Sequence, residues 1–215
     1  MKIGILGTGM VGETLGSKFV TLGHEVKLGS RTANNAKAAA WAEKNGKQAS
    51  HGTFADAASF GEILFNCTHG TASVEVLGLA GAANLGRKLL IDVSNPLEMV
   101  PGKGPRLAFG LEDSLGERLQ AAFPELRVVK TLNTVNCSVM VAPARVPGEI
   151  TMFMCGNDAA AKAQTAELLK TWFGWRDVVD LGDISAARAT EAMMPIWLKL
   201  WGSLKTLDFG FKVVR

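Results

Sequence analysis

The sequence predicts an α/β fold, a doubly wound and mainly parallel sheet finished by a small helical part at the C-terminal end. Two observations carry that expectation. Short apolar runs alternate with helix-period segments on short connections along most of the 215 residues. The first run, Lys2 to Leu6, leads into Gly7-Thr8-Gly9-Met10-Val11-Gly12, a G-x-G-x-x-G loop between a strand and a helix. In that setting the first glycine makes a tight turn, the second lets backbone approach a pyrophosphate, and the third lets helix and strand pack closely. This is the Rossmann type of dinucleotide-binding sheet.

The elements follow in order. Met10 to Leu22 has a helical pattern, Glu25 to Gly29 reads as the second strand, and the Ala-rich Asn34 to Lys44 as the next helix. Gln48 to Ser50 is a short third strand and Phe54 to Phe60 a helical turn. Glu62 to Cys67 (strand), Ser73 to Ala83 (helix) and Leu89 to Val93 (strand) continue the alternation. From Ser94 to Gly116, prolines 96, 101 and 105 and several glycines mark a long irregular loop, of the kind that is more often functional than idle. A helix at Leu115 to Phe123, a strand at Leu126 to Lys130 and a short helix at Val135 to Ala142 come next. Thr151 to Cys155, Ala159 to Phe173 and Arg176 to Leu181 read as strand, helix and strand. Asp183 or Ser185 caps a last helix to about Leu207, its apolar face widened by Met194 and Leu198 and kinked at Pro195. The expected organisation is a nucleotide-binding domain over 1–145 and a strand–helix extension over 146–215 packed on it.

Composition narrows the function. Apolar residues at 47% and charged residues at 20% describe a folded globular chain. A net charge of +3, dispersed along the sequence, does not suggest nucleic acid but suits a phosphorylated ligand. There is no tyrosine, so any mechanism built on a Tyr general acid is excluded. The three cysteines, Cys67, Cys137 and Cys155, lie far apart in apolar runs and read as reduced, buried thiols; no metal site is expected. No apolar stretch reaches the roughly 18 residues of a membrane span, and no signal or transit pattern opens the chain. A cytoplasmic location follows as the expectation.

The end of the second strand decides the cofactor. An NAD-preferring site carries Asp or Glu about 20 residues past the glycine loop, to hold the ribose 2′-hydroxyl. Here the residues are Gly29-Ser30-Arg31-Thr32, with no acid. Arg31 can meet a 2′-phosphate and stack on adenine, Ser30 and Thr32 can donate hydrogen bonds, and Lys37 adds a second positive charge. NADP is the expected cofactor.

With both nucleotide segments read, the chain resembles the F420H2:NADP oxidoreductases, the NADPH-dependent coenzyme F420 reductase family. The resemblance rests on Lys2-to-Gly12, His24-to-Arg31, Asp92-to-Leu97 and Lys130-to-Val135. It implies a small Rossmann domain with a compact C-terminal part, commonly dimeric. It also implies direct hydride transfer between nicotinamide C4 and C5 of a deazaflavin, with coenzyme F420 as co-substrate. Such a transfer needs stacking and exclusion of water more than an acid or base, so no catalytic side chain is assigned.

Ligands of doubly wound sheets lie outside the carboxyl ends of the strands. Thr68 and His69, then Ser94, Asn95 and Pro96, fall there and are read as cofactor-binding, along with the glycine loop. Asn133, Thr134 and Val135 resemble the family segment beside nicotinamide and deazaflavin and are read as substrate-binding. Asp92 reads as a core acid tying its loop. The face with Met193, Met194, Trp197 and Trp201 is either core and dimer packing or the lining of a flat substrate. Three functions stay open: reduction of a flat small-molecule acceptor such as F420, a flavin or a quinone; imine or carbonyl reduction with His69 as proton donor; and a non-catalytic NADP sensor.

Overall fold

The structure, a computed structural model, describes residues 1–214. In its nucleotide-binding half, β1 (Lys2–Leu6), α1 (Met10–Thr21), β2 (Glu25–Ser30), α2 (Ala36–Asn45) and β3 (Ala49–Thr53) follow one another. Next come α3 (Phe54–Phe60), β4 (Ile63–Asn66), α4 (Ser73–Ala80), α5 (Ala82–Leu85) and β5 (Leu89–Asp92). A hairpin of β6 (Leu97–Val100) and β7 (Gly104–Leu107) precedes α6 (Leu115–Ala122), β8 (Arg127–Thr131) and α7 (Cys137–Met140). The chain finishes with β9 (Thr151–Gly156), α8 (Ala159–Leu168), β10 (Asp177–Asp180), α9 (Ala187–Ala192) and α10 (Met194–Leu204).

Eight strands form one sheet in the order β10-β9-β8-β5-β4-β1-β2-β3. The run from β3 to β8 is parallel throughout and has the Rossmann order, with the crossover reversing between β1 and β4. Only β9 runs against its neighbour β8, and β10 then pairs parallel with β9. Alternation along the strands gives the sheet two apolar faces. Ile3, Ile5, Ile63, Phe65, Ile91 and Val129 point to one core, and Leu6, Leu64, Leu90 and Val128 to the other. A third, smaller cluster joins Trp197 and Met194 of α10 to Leu97 and Leu107 of the hairpin and Phe209 of the tail.

Four sequence expectations are corrected. The segment after Ser94 is not irregular throughout: Leu97 to Val100 and Gly104 to Leu107 pair as an antiparallel ribbon. Pro105 is tolerated because a two-stranded ribbon leaves edge positions that need no donor. The helix read over Ser73 to Ala83 breaks at Gly81, whose φ is +86°, into α4 and α5. The helix read to Phe173 loosens after Leu168 into a π turn over Leu169–Phe173, closed by left-handed Gly174. Pro195 does not kink one long helix; it sits in the first turn of a new one, where its missing N–H costs nothing.

Candidate dinucleotide site and acceptor cleft

The carboxyl ends of β1, β2, β4, β5 and β8 share one edge of the sheet, and the site is built there. At the glycine loop, Gly7 has φ +128° and its backbone lies against the Cys67 carbonyl, so no side chain fits. A Cβ on Gly12 would strike the Gly7 carbonyl, which leaves α1 packed tightly over β1. Gly9 differs: a Cβ there meets nothing within 4 Å. Gly9 is also the N-cap of α1, with no side chain capping the helix. A twelve-residue helix thus presents free N–H groups and its positive end at an open glycine, an arrangement that fits a pyrophosphate.

At the end of β2, Ser30 is buried and its hydroxyl donates to the Thr32 carbonyl, shaping the turn. Arg31 and Thr32 are exposed. The Arg31 guanidinium lies 4.0 Å from the Glu75 carboxylate on α4, so the turn after β2 and the helix after β4 meet across the end of the strand that carries the glycine loop. Lys37, in the first turn of α2, shares an open groove with Thr8, Gly9 and Met10. The turn from Ser30 to Asn35 carries Arg31 and no Asp or Glu, with Lys37 just beyond it, and that donor set fits a 2′-phosphate, which would compete with Glu75 for Arg31.

Beyond the glycine loop lies a cleft of about 220 Å³. It brings together Met10, Val11, Thr68, Ser94, Asn95, Asn133, Val135, Met194 and Trp197 of the residues singled out in the sequence. Cys67, Val93, Asn136, Cys137 and Met140 complete its walls. Pro96 is buried behind it, and Thr134 is buried beside it with its hydroxyl unpartnered. His69 is exposed, starts a 3-10 turn, and engages the Thr71 hydroxyl through Nδ1 at 2.8 Å. It does not line the cleft. Burial pushes the Cys67 thiol far up, with the Asp92 charge and Cys137 adding to the effect, so Cys67 is no nucleophile at neutral pH.

A buried polar network fixes the cleft walls. Lys130 on β8 is fully enclosed and donates to Asp92 Oδ2 at 2.8 Å, to Glu191 Oε1 at 2.9 Å and to the Ser94 carbonyl. Burial works against its charge, but the two carboxylates outweigh burial and hold the ammonium above its ordinary pKa. Asp92 Oδ1 accepts from Asn66 Nδ2 at 2.8 Å and from the Ser94 N–H at 3.2 Å, as expected of a core acid tying its loop. The Ser94 hydroxyl donates to the Thr68 carbonyl at 2.9 Å, and Glu191 accepts from the Leu115 and Gly116 N–H groups at the start of α6. The loops after β4 and β5 and the C-terminal helices are thereby held as one frame. Sequence reasoning missed Lys130, Asn66 and Glu191. A lysine inside the apolar run Leu126 to Thr131 was the available signal.

Comparisons with known proteins agree with this geometry. Residues 2–96 match the family described as NADP oxidoreductase coenzyme F420-dependent. A crystal structure from Arthrobacter sp. FB24, provisionally designated an F420-dependent NADP-reductase, is 45% identical with a TM-score of 0.94, each chain covered to 100%. The F420-dependent NADP reductase of Methanothermobacter marburgensis is 28% identical over 100% of this chain and 99% of its own. The metalloreductase STEAP3 of Rattus norvegicus is 31% identical over 91% of this chain, which spans only 38% of that longer protein. The chain therefore belongs to the coenzyme F420-dependent NADP oxidoreductase family and is an NADP-dependent oxidoreductase.

Proposed function

We propose that this enzyme moves a hydride between NADPH and a flat acceptor, with coenzyme F420 the leading candidate, and that the two meet in the cleft beside the glycine loop. The observation that carries this is the character of the walls: Val11, Val93, Val135, Met140, Met194 and Trp197 with neutral polar groups. The only titratable side chains among them are two thiols, Cys67 and Cys137. A cleft of that kind excludes water and aligns rings, which a direct hydride transfer needs, and offers no relay for the proton that imine or carbonyl reduction demands. The names carried by the Arthrobacter and Methanothermobacter relatives support a deazaflavin as acceptor.

Bound NADPH supplies the hydride at nicotinamide C4. The α1 N-terminus with Gly7, Thr8, Gly9, Met10, Val11 and Gly12 receives the pyrophosphate. Arg31, Thr32 and Lys37 take the 2′-phosphate over the turn that Ser30 shapes. Thr68, Ser94, Asn95 and Pro96, with His69 at the rim, form the ribose and nicotinamide side of the site. Asn133, Thr134 and Val135 face the acceptor. The extension over 146–215 supplies the α10 wall, whose outer face carries exposed Ile196, Trp201 and Leu204 and suits the contact of a homodimer. Reduced buried thiols suit the cytosol.

The test mixes the purified protein with NADPH and F420 and follows NADPH absorbance and the deazaflavin band together, with NADH and FMN in parallel. Matched loss of both bands is expected with NADPH. Arg31→Ala should raise the NADPH KM by about tenfold or more, because a charge-assisted contact is lost, and leave kcat near wild type. Tight NADPH binding with no deazaflavin reduction would move the assignment to another acceptor or to a sensor.

A further inference from the structure

Among the described residues, four buried side-chain polar atoms have no hydrogen-bond partner: His24 Nε2, Asn133 Oδ1, Thr134 Oγ1 and Trp197 Nε1. Three belong to the cleft region, and Asn133 and Trp197 form part of its wall. Buried polar groups in native proteins are almost always satisfied, so two orphaned atoms on residues that wall one cleft call for an explanation.

The chemistry of these two atoms is fixed by their surroundings. Asn95 Nδ2 donates to the Asn133 carbonyl at 2.8 Å, and only an amide NH2 can do that. Asn95 must then present Oδ1 to its neighbour, and Asn133 Nδ2 donates to it at 3.0 Å. The reciprocal pair leaves Asn133 Oδ1 as an acceptor that cannot be flipped into a donor. Leu132, just before, holds φ at +64° although it is not glycine, a local strain that turns the chain as Asn133 begins. The Trp197 indole can only donate. Its ring is stacked on Phe209 at 5.3 Å between centroids and tilted against Trp201 at 6.0 Å, so the N–H cannot turn away without unpacking the small third cluster.

We infer that Trp197 Nε1 and Asn133 Oδ1 serve as ligand-facing donor and acceptor, which select a ring bearing an amide or imide, a carbonyl beside an N–H. This rests on the reading of the cleft as the meeting place of nicotinamide and acceptor, and adds to it the recognising atoms and the group recognised. Two sources offer that chemistry: the carboxamide of the nicotinamide ring and the uracil-like edge of a deazaflavin or flavin.

Trp197→Phe keeps a flat apolar ring and deletes the N–H. It should raise one Michaelis constant by about tenfold, since a buried partner is left unsatisfied, with little change in the thermal midpoint. A raised KM for F420 assigns the acceptor edge, and a raised KM for NADPH assigns the carboxamide. Ligand analogues probe the wild-type protein in the same way. The 3-acetylpyridine analogue of NADP keeps the carbonyl and lacks the NH2, and an N3-methylated deazaflavin lacks the imide N–H. At least one analogue should bind about tenfold more weakly than its parent. Unchanged Michaelis constants in Trp197→Phe, with both analogues bound as tightly as their parents, would overturn the inference while F420 turnover leaves the functional reading standing. If wild-type protein reduces no deazaflavin yet discriminates against the acetylpyridine analogue, the functional reading falls and the inference holds for the cofactor.

Discussion

Lys130 is enclosed by protein on every side, and each of its three N–H donors has a partner on a different segment: Asp92 on β5, Glu191 on α9 and the Ser94 carbonyl between β5 and β6. Removing the ammonium leaves two carboxylates buried without their counter-charge, the situation that makes breaking an internal ion pair expensive. Lys130→Met is expected to lower unfolding free energy by about 3–5 kcal/mol in urea titrations. A loss under about 1 kcal/mol would mean the carboxylates are neutralised some other way. A second residue-scale effect sits at His24, tilted against Trp172 at 4.6 Å between ring centroids, with Nε2 unpartnered. Burial lowers its pKa, and the chain's amino terminus adds to that. The unfolded chain then takes up a proton at a higher pH than the folded one. Stability is therefore complete above about pH 6.5 and declines as pH falls from there through the lowered folded value. His24→Phe, which keeps a ring against Trp172, should flatten urea midpoints between about pH 7 and 5; an unchanged slope would assign the acid sensitivity elsewhere.

At the scale of elements, α1 separates fold from function within one motif. Gly12 is needed by packing, because a Cβ there meets the Gly7 carbonyl and the Ile5 side chain, whereas Gly9 has open space above it and extended backbone that alanine also adopts. Gly12→Ala should cost about 1–3 kcal/mol of stability. Gly9→Ala should leave the thermal midpoint within a few degrees but weaken NADPH binding by tenfold or more, measured by fluorescence titration. Equal midpoints for both variants would refute this division of labour. Local rules made these elements readable: the strand–glycine–helix sequence fixed α1, and continuous apolar runs fixed β1, β4 and β5, since a parallel sheet covered on both faces needs them. The hairpin was illegible because Pro105 reads as a breaker, while the signal of a turn at Pro101-Gly102 is short-range and Leu97 and Leu107 are fixed only by α10 and the tail. The antiparallel β9 could not be read from its residues either, because strand direction is set by the connection and not by the strand itself. In the site, motif residues such as Gly9 and Arg31 were legible from spacing. Trp197 was legible only as part of an apolar face that either packs or lines a substrate, and Asn66 and Glu191 were not legible, because their roles depend on how segments far apart in the chain dock.

For the molecule as a whole, the unequal size of its three apolar clusters predicts where it opens. The two large clusters cover opposite faces of one continuous sheet, and each draws residues from both the first 60 positions and those beyond 150. Neither half owns a core, so the sheet should lose its structure as a unit. The third cluster has only Met194, Trp197 and Phe209 buried, and it alone ties together the hairpin, α10 and the tail. The tail is held down at a few further points, among them Arg145 to Asp208 at 2.8 Å and the Thr151 N–H to the Phe211 carbonyl at 2.7 Å. A cap with so little buried apolar surface is the part that should open below the global unfolding free energy. Amide hydrogen exchange is therefore expected to be markedly faster over 97–107 and 194–204 than over β1, β4 and β5. Because Trp197 and Met194 also wall the cleft, ligands seated there add contacts to the cap and slow its opening by mass action. NADP alone should protect α1 and the β2 end, and NADP with an acceptor should additionally protect the hairpin and α10. If the cap is already as protected as the central strands without ligand, the third cluster is stronger than its size implies, and access to the cleft must come from the side of Thr68 and His69.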